Sequence, residues 1–290
     1  MDEDFCQNQP APYNIEKTGN PLQCYFGNVF TPCVEESPTT AEMKPHVQWQ
    51  QLKCPRLVNH VGNYTASTNI HSDVTEYMFS QVNPAVVDLV EKEALKIFGP
   101  NGAPEKMITV HIRWGDKAHE MGGSLVSMDQ YVAAVKYFIK KHGLSTVSIF
   151  LTTEDPRAAT LFKTHDTVLK NKWTIYEYAS AISPNKATHT PALDAKASKG
   201  KFGLISLIVL LLSMESQYFV LTTASNWSVL MQSLVISVVN QRSEVDYIDL
   251  RRNPLNHKAQ YSFNTKNKLP KNYPYNDDGV LAFPIGSSII

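Results

Sequence analysis

Apolar residues recur at helical spacing in the first long patterned segment of the chain. Four of them lie three or four positions apart after Pro84: Val86, Val90, Ala94 and Ile97. Asn83 is a suitable helix cap, and proline fits the first helical position because no backbone donor is needed there. Gly99 and Pro100 interrupt the pattern. The spacing predicts a helix of about four turns that ends before Gly99.

Beyond this helix, short runs rich in β-branched and aromatic residues alternate with longer amphipathic runs. The short runs predict strands at residues 107–113, 147–152, 173–178, 218–222 and 245–250. The longer runs predict helices at residues 128–142, 156–164, 202–216 and 227–240. Such alternation is typical of a parallel sheet, so we expect an α/β fold. The most apolar run, 204–212, is about half as long as a bilayer-spanning helix and is interpreted as a buried helix.

The two ends of the chain lack this regular pattern. Residues 1–80 hold many Pro, Asn, Thr and Gln residues, and the tail from Arg251 is rich in Asn, Lys and Pro. At about 150 residues per domain, the length allows about two domains. We predict a reduced, irregular subdomain at 1–100 and a Rossmann-like domain at 101–250. The tail, 251–290, is expected to pack back on the body.

All four cysteines belong to the irregular start of the chain: Cys6, Cys24, Cys33 and Cys54. We interpret them as disulfides that staple this subdomain, which favours an oxidising compartment. A zinc site and free thiols are the alternatives, although structural zinc usually needs close C-x-x-C pairs that are missing here. Asn63 begins a glycosylation sequon, as expected of a luminal glycoprotein.

The charge balance argues against nucleic acid or an anionic membrane as the main partner. The chain has 27 basic and 27 acidic side chains, a formal charge of zero. Its 43% of apolar residues can build a core, which excludes wholesale disorder. The start of the chain, with Asp2, Glu3 and Asp4, does not resemble a signal peptide, and no run is long enough to cross a bilayer. Any targeting signal or anchor is expected outside these residues.

Ligands bind open α/β sheets at the carboxyl ends of the strands, so three loops are candidates for a site. In the first, strand alternation places His111 and Arg113 on one face and Ile112 on the other. Asp116 and Lys117 follow in the turn. Two cations and an imidazole suit a diphosphate with its base or ribose. The alternative is that an ion pair between Arg113 and Asp116 merely braces the loop.

The second loop contributes two carboxylates. Asp155 precedes Pro156, as at an ordinary helix start, so capping is the simplest interpretation of its side chain. Glu154 remains available at the strand end. It is expected to orient Arg113 or Lys117, or to bind sugar hydroxyls.

The third loop places Ser225 and Asn226 at the mouth of a predicted helix, a position that favours phosphate. The alternative is that Ser225 only caps the helix. The sequence lacks a P-loop, a dinucleotide-binding G-x-G-x-x-G, an H-E-x-x-H and a G-x-S-x-G. The carboxylate clusters at 2–4 and 277–278 do not stand at strand ends, so we predict a metal-independent reaction and no metal ligands.

Together these motifs resemble those of the α-1,6-fucosyltransferase-like glycosyltransferases, which include core and rhizobial nodulation fucosyltransferases. The similarity covers roughly residues 80–250. Its most specific part, 111–117, is similar to the family's H-x-R-x-x-D-K motif, with support from 127–131, 151–156 and 219–226. The resemblance implies a GT-B-like fold, GDP-fucose as donor, a glycan or glycoprotein acceptor, and inverting transfer without a metal or other cofactor.

The resemblance also implies roles for single residues in donor binding. Arg113 would contact the donor's phosphates, and His111 would lie near the guanine. Asp116 and Lys117 would shape the donor pocket. Five further residues would complete its surroundings: Tyr131, Glu154, Asp155, Ser225 and Asn226.

The acceptor hydroxyl needs a base. Core-type members of the family carry a glutamate four residues after the motif lysine, where this chain has Met121. We therefore expect the neighbouring Glu120 to take the proton. The predicted catalytic residues are Arg113, Lys117 and Glu120.

Three positions depart from the family pattern. Trp114 stands where a second arginine is common, Val209 where an aspartate helps to hold guanine, and Val229 where an arginine is usual. These departures motivate a second hypothesis, a catalytically degenerate relative that binds a nucleotide sugar or glycan. A phosphate-ester hydrolase or kinase is a third. The leading prediction is a GDP-fucose-dependent fucosyltransferase of the secretory-pathway lumen, in the Golgi.

Overall fold

The computed structural model describes residues 3–11, 13, 22–27, 75, 77–115, 125–178, 198–237 and 245–250, and the backbone of 281–284. Its strands are β1 (Ile108–His111), β2 (Ser148–Thr152), β3 (Thr174–Glu177), β4 (Tyr218–Leu221), β5 (Asp246–Asp249) and β6 (Leu281–Pro284). They form one sheet in the order β3-β2-β1-β4-β5-β6. Strands β1 to β5 are parallel, and β6 pairs antiparallel with β5. The predicted α/β fold with a parallel sheet is confirmed.

The described helices are α1 (Glu3–Gln7), α2 (Gln23–Phe26), α3 (Pro84–Phe98), α4 (Met128–His142), α5 (Pro156–Lys163), α6 (Asp166–Lys170), α7 (Lys201–Ser213) and α8 (Asn226–Ser237). Asn83 caps α3 by accepting the N–H of Ala85, as predicted. The sequence missed α6 because five residues are too few to show a helical period. Within the described parts of the chain, no helix is long and apolar enough to cross a bilayer.

Side-chain alternation in the parallel strands divides the core into two layers. Ile108, Val110 and Ile112 pack with α4 and α5 on one face of the sheet. Phe150 and Phe219 pack with the second layer, which includes α3, α7 and α8. Helix α7 is strongly apolar and contributes six buried apolar residues: Leu204, Leu207, Ile208, Val209, Leu210 and Leu212. This confirms that the run 204–212 is a buried helix.

The predicted end of α7 was wrong by three residues. The helix ends at Ser213, and the chain turns through Met214 to enter β4, with the N–H of Ser216 bonded to the carbonyl of Ser213 at 3.2 Å. The Ser216 hydroxyl lies 2.8 Å from that of Thr109 in β1. A tertiary hydrogen bond therefore sets this boundary, which the apolar pattern alone does not mark.

The start of the chain is joined to the second layer of the core. Cys6 and Cys24 form a disulfide between α1 and α2, so one predicted staple is confirmed. Asn83 donates to the carbonyl of Cys24 at 2.9 Å, and its N–H donates to the carbonyl of Tyr25 at 2.8 Å. These bonds attach the stapled segment to the start of α3. The second pair of cysteines and the Asn63 sequon lie outside the described residues, and the division into domains at 100 and 250 stays a prediction.

Candidate functional site

The strand order creates a switch point between β1 and β4. From β1 the chain proceeds to β2 and β3 on one side, then crosses to β4 and β5 on the other. Loops that leave the two adjacent strands diverge there, and ligands of open α/β sheets bind in that crevice. Arg113 lies two residues after the end of β1, and Thr222 follows β4 directly. Two of the three predicted loops therefore meet at the switch point.

Arg113 forms an ion pair with Glu154, which follows β2. The backbone brings the two loops together, because the N–H of Ile112 donates to the carbonyl of Thr152 at 2.9 Å. The side chains of Arg113 and Glu154 are 12% and 15% exposed. Orientation of Arg113 by Glu154, one of the expectations from sequence, is seen in the structure. The alternative partner Asp116 lies outside the described residues.

Gly115 lies against this ion pair. Its φ is +29°, and a Cβ atom there would be 2.8 Å from Oε1 of Glu154 and 3.0 Å from Nη1 of Arg113. Both distances are shorter than ordinary van der Waals contacts. A larger residue at position 115 would therefore have to displace the ends of these two side chains, and its backbone conformation would be strained at this positive φ.

His111 is almost fully buried, with 2% of its surface exposed. Its Nδ1 lies 2.6 Å from the hydroxyl of Ser228 in α8. Burial, with a smaller contribution from the charge of Arg113, lowers the pKa of His111 to about 3. The imidazole is therefore neutral near pH 7 and joins β1 to α8. Its placement on the face opposite Ile112 agrees with the predicted alternation, and its contact with guanine stays a prediction.

Thr222 connects three parts of the site. Its N–H donates to the Ser228 hydroxyl at 3.0 Å, and its own hydroxyl lies 3.0 Å from that of Tyr131 in α4. Tyr131 also receives a backbone hydrogen bond from Arg113. Burial raises the pKa of Tyr131 well above its ordinary value although both hydrogen bonds act in the other direction. This buried phenol links the loop after β1 to the loop after β4.

The next residue, Thr223, is held by a carboxylate that the sequence analysis missed. Asp249, the last residue of β5, accepts the Thr223 N–H at 2.9 Å and its hydroxyl at 2.5 Å. Ser228 was also missed as a site residue. Asp249 could have been found from its position at the carboxyl end of a predicted parallel strand. Ligands bind at the carboxyl ends of such strands, and β5 ends at the same edge of the sheet as the three strands whose loops were considered.

The remaining candidates occupy helix starts. Asp155 accepts the N–H of Arg157 at 2.8 Å and also pairs with its guanidinium, so it caps α5 as the simpler interpretation proposed. Burial would raise the pKa of Asp155, but Arg157 outweighs it and holds the pKa below its ordinary value. Ser225 is buried directly before α8 and its carbonyl accepts the N–H of Val229, whereas Asn226 is exposed in the first turn. Donor binding by these residues stays a prediction.

The three departures from the family motifs have distinct surroundings. Trp114 donates its indole N–H to the carbonyl of Val126 at 3.0 Å. Val209 is buried in the core and Val229 is partly exposed on α8. The role predicted from the motif for an aspartate at position 209 therefore has no substitute there, because a valine offers no hydrogen bond.

Three predicted residues, Asp116, Lys117 and Glu120, lie outside the described residues. Among the residues that the structure does describe, no group of three or more His, Cys, Asp and Glu side chains could hold a metal ion. Metal-independent chemistry stays a prediction. The described part of the crevice contains a guanidinium oriented by a carboxylate, and the N-terminus of α8. Such groups stabilise negative charge that develops on a leaving phosphate.

Comparison with solved structures finds fucosyltransferases. A crystal structure of NodZ alpha-1,6-fucosyltransferase co-crystallized with GDP is 14% identical, with a TM-score of 0.38, and the match covers 61% of this chain and 48% of that chain. A NodZ structure from Bradyrhizobium gives the same values. The structure of POFUT1 in complex with GDP is 9% identical, with a TM-score of 0.37, over 59% of this chain and 48% of that chain. The chain thus spans about half the length of these proteins. No protein-family model matches, and neither does any curated protein.

Proposed function

We propose that this chain is part of a glycosyltransferase that moves fucose from GDP-fucose to a hydroxyl of a glycan acceptor. The observation that carries the proposal is the position of the H-x-R segment. Arg113 comes two residues after the central strand β1 at the switch point, and His111 of the same segment contacts Ser228 in α8. A diphosphate needs cations and backbone N–H groups in such a crevice. The choice of guanine and fucose rests on the motif resemblance.

The reaction would be a single displacement at the anomeric carbon of fucose. The acceptor oxygen forms a bond to this carbon while the bond to the β-phosphate oxygen breaks, and GDP departs with the electron pair. Arg113 and the free N–H groups of α8 would stabilise the negative charge on that oxygen. Glu120 would accept the proton of the acceptor hydroxyl. Attack from the side opposite the leaving group inverts the anomeric centre, and we propose no metal for this step.

We further propose that the protein works in the lumen of the secretory pathway, in the Golgi, as a glycoprotein. The Cys6–Cys24 disulfide supports an oxidising compartment, because cytosolic thiols are kept reduced. The acceptor would be a glycan or glycoprotein, in line with such a compartment.

Calorimetric titration in the presence of a chelator tests donor recognition. We expect GDP and GDP-fucose to bind about 10-fold or more tightly than UDP. Arg113→Ala should weaken GDP binding by about 100-fold, because a charged hydrogen-bonding partner of the diphosphate is lost. Arg157→Ala is the matched control, since Arg157 is an exposed guanidinium near the same edge that pairs with Asp155, and it should change the affinity by less than about 2-fold. Absence of binding to any guanine nucleotide would refute the proposal.

A second candidate function is a catalytically inactive relative that binds a nucleotide sugar or a glycan. Two observations favour it: the charge of Arg113 is already matched by Glu154, and the indole N–H of Trp114 is engaged by Val126. Transfer of labelled fucose to an acceptor panel separates the two functions. Donor binding without transfer would support the inactive relative, and release of inorganic phosphate would instead indicate a hydrolase.

A further inference from the structure

Strand β5 carries two buried carboxylates with different surroundings. Asp246 begins the strand and Asp249 ends it, and they are 4% and 3% exposed. Asp246 is paired with Lys141 of α4 at 2.5 Å, and its carboxylate also lies 3.1 Å from Nε2 of His142. Asp249 accepts two hydrogen bonds from an uncharged residue, Thr223. Asp249 therefore links the end of β5 to Thr223, which lies two residues after the end of β4.

The two hydrogen bonds between Thr223 and Asp249 restrain both the position and the orientation of Thr223. One oxygen of Asp249 accepts the backbone N–H and the other accepts the hydroxyl. Two hydrogen bonds to one carboxylate define the orientation of the donor residue, whereas a single bond would leave it free to rotate. Thr223 is therefore fixed relative to the carboxyl end of β5.

This restraint acts on the segment that leads into α8. Thr222 is held by Ser228 and Tyr131, and the N–H of Ser225 donates back to the carbonyl of Thr222 at 2.9 Å. The segment 222–225 is thus attached to β5 on one side, and to α4 and α8 on the other. Its geometry determines where the N–H groups of the first turn of α8 point.

We propose that Asp249 is a positioning residue of the donor site: it fixes segment 222–225 so that the start of α8 faces the diphosphate. The inference rests on the proposed function and deepens it. Asp249 acts through Thr223 and does not itself contact the nucleotide. The proposed role depends on the geometry of its two oxygens, which accept the Thr223 N–H and hydroxyl, and an amide of the same shape can keep both bonds.

Conservative and disruptive variants separate geometry from charge. In Asp249→Asn the amide oxygen can accept the Thr223 N–H while the amide nitrogen donates to the Thr223 hydroxyl, so both bonds persist. Asp249→Ala removes both, and Thr223→Val removes only the hydroxyl bond. Asp246→Ala is the matched control, because it removes a buried carboxylate from the same strand at the opposite edge of the sheet.

GDP affinity by calorimetry is the first measurement, at a temperature where unfolding scans show every variant to be folded. We expect Asp249→Ala to weaken GDP binding about 10-fold and Thr223→Val about 3-fold, with no further loss when the two are combined. Asp249→Asn and Asp246→Ala should stay within about 1.5-fold of the unmodified protein. Unchanged affinity in Asp249→Ala, or equal losses in Asp246→Ala and Asp249→Ala, would overturn the positioning role.

Amide hydrogen exchange of residues 222–228 tests the inference without a ligand. Exchange should be faster in Asp249→Ala than in the unmodified protein, because this variant loosens the segment. Asp249→Asn and Asp246→Ala should exchange at the rate of the unmodified protein. Unchanged exchange in Asp249→Ala would refute the restraint. If the unmodified protein binds no guanine nucleotide, the proposed function fails, and exchange still decides whether Asp249 holds the segment.

Discussion

The two edges of the parallel sheet use polar side chains differently. At the amino edge, Lys141 and His142 close the gap between α4 and Asp246, and His142 stacks on Tyr218 with ring centroids 4.2 Å apart. At the carboxyl edge, Tyr131 and Asp249 hold short loop segments in place. Contacts at the amino edge join a helix to strands, whereas contacts at the carboxyl edge hold the backbone of the loops around a crevice. Both edges therefore contribute to stability, and under the proposed function only the carboxyl edge would also bind the donor.

Removal of the Ser228 hydroxyl should have the largest effect on stability. It leaves Nδ1 of His111 and the N–H of Thr222 without their partner, and each unsatisfied buried group costs about 1–3 kcal/mol. We expect Ser228→Ala to lower the free energy of unfolding by about 3 kcal/mol. Ser233→Ala, in the same helix, loses a bond to the carbonyl of Val229 and should cost about 1 kcal/mol. Equal losses in urea titrations would contradict the proposed link between β1 and α8.

At the amino edge, Lys141→Met should lower the free energy of unfolding by about 2 kcal/mol. It removes the ammonium group beside buried Asp246 and leaves the contact with His142, and Oδ1 of Asp246 already has no hydrogen-bond partner among the described residues. GDP affinity should not change. Lys140→Met, an exposed neighbour on α4, is the control and should alter neither quantity. A change in GDP affinity in Lys141→Met would break the distinction between the edges.

The buried imidazole at the carboxyl edge should make stability depend on pH. His111 has a pKa of about 3 in the folded protein and an ordinary value of 6.5. Between these values the unfolded chain binds a proton that the folded protein does not, so stability falls as the pH drops below 6.5. The slope from this group is at most about 1.4 kcal/mol per pH unit. The test is to measure the free energy of unfolding of the unmodified protein and of His111→Gln at pH 7 and at pH 5. If both proteins lose the same stability between these pH values, His111 is not buried in its neutral form.

Two glycines with positive φ, one at each edge, allow the smallest predicted difference between the edges to be tested. Gly143 caps α4 at the amino edge, with φ +59° and open space where a Cβ atom would stand, whereas a Cβ on Gly115 meets Arg113 and Glu154. Alanine at either position should cost about 1 kcal/mol of stability because of its backbone conformation. Only Gly115→Ala should weaken GDP binding, by about 5-fold, since the ion pair must shift. Equal GDP affinity in the two variants would show that the ion pair does not affect binding.

Much of the fold could be predicted because it depends on local pattern. Alternating apolar runs place β2 and α5 within one residue of their observed bounds, and the cap at Asn83 follows from residue type. Strand β6 was missed, since four residues in a polar tail carry no period and the strand is defined by pairing with β5. Of the candidate site, Arg113 and Tyr131 were identified from motifs. Ser228 and Asp249 were not, because their partners are distant in sequence.

The sequence by itself determined the order of helices and strands, the buried character of α7 and the placement of His111 and Ile112 on opposite faces of β1. These features depend on neighbours within a few positions, through the periods of helix and strand. Only the tertiary structure decided which polar groups meet. Arg113 pairs with a carboxylate 41 positions away, and His111 with a hydroxyl 117 positions away. The strand order brings such groups together, because parallel strands separated by whole helices end at the same edge of the sheet.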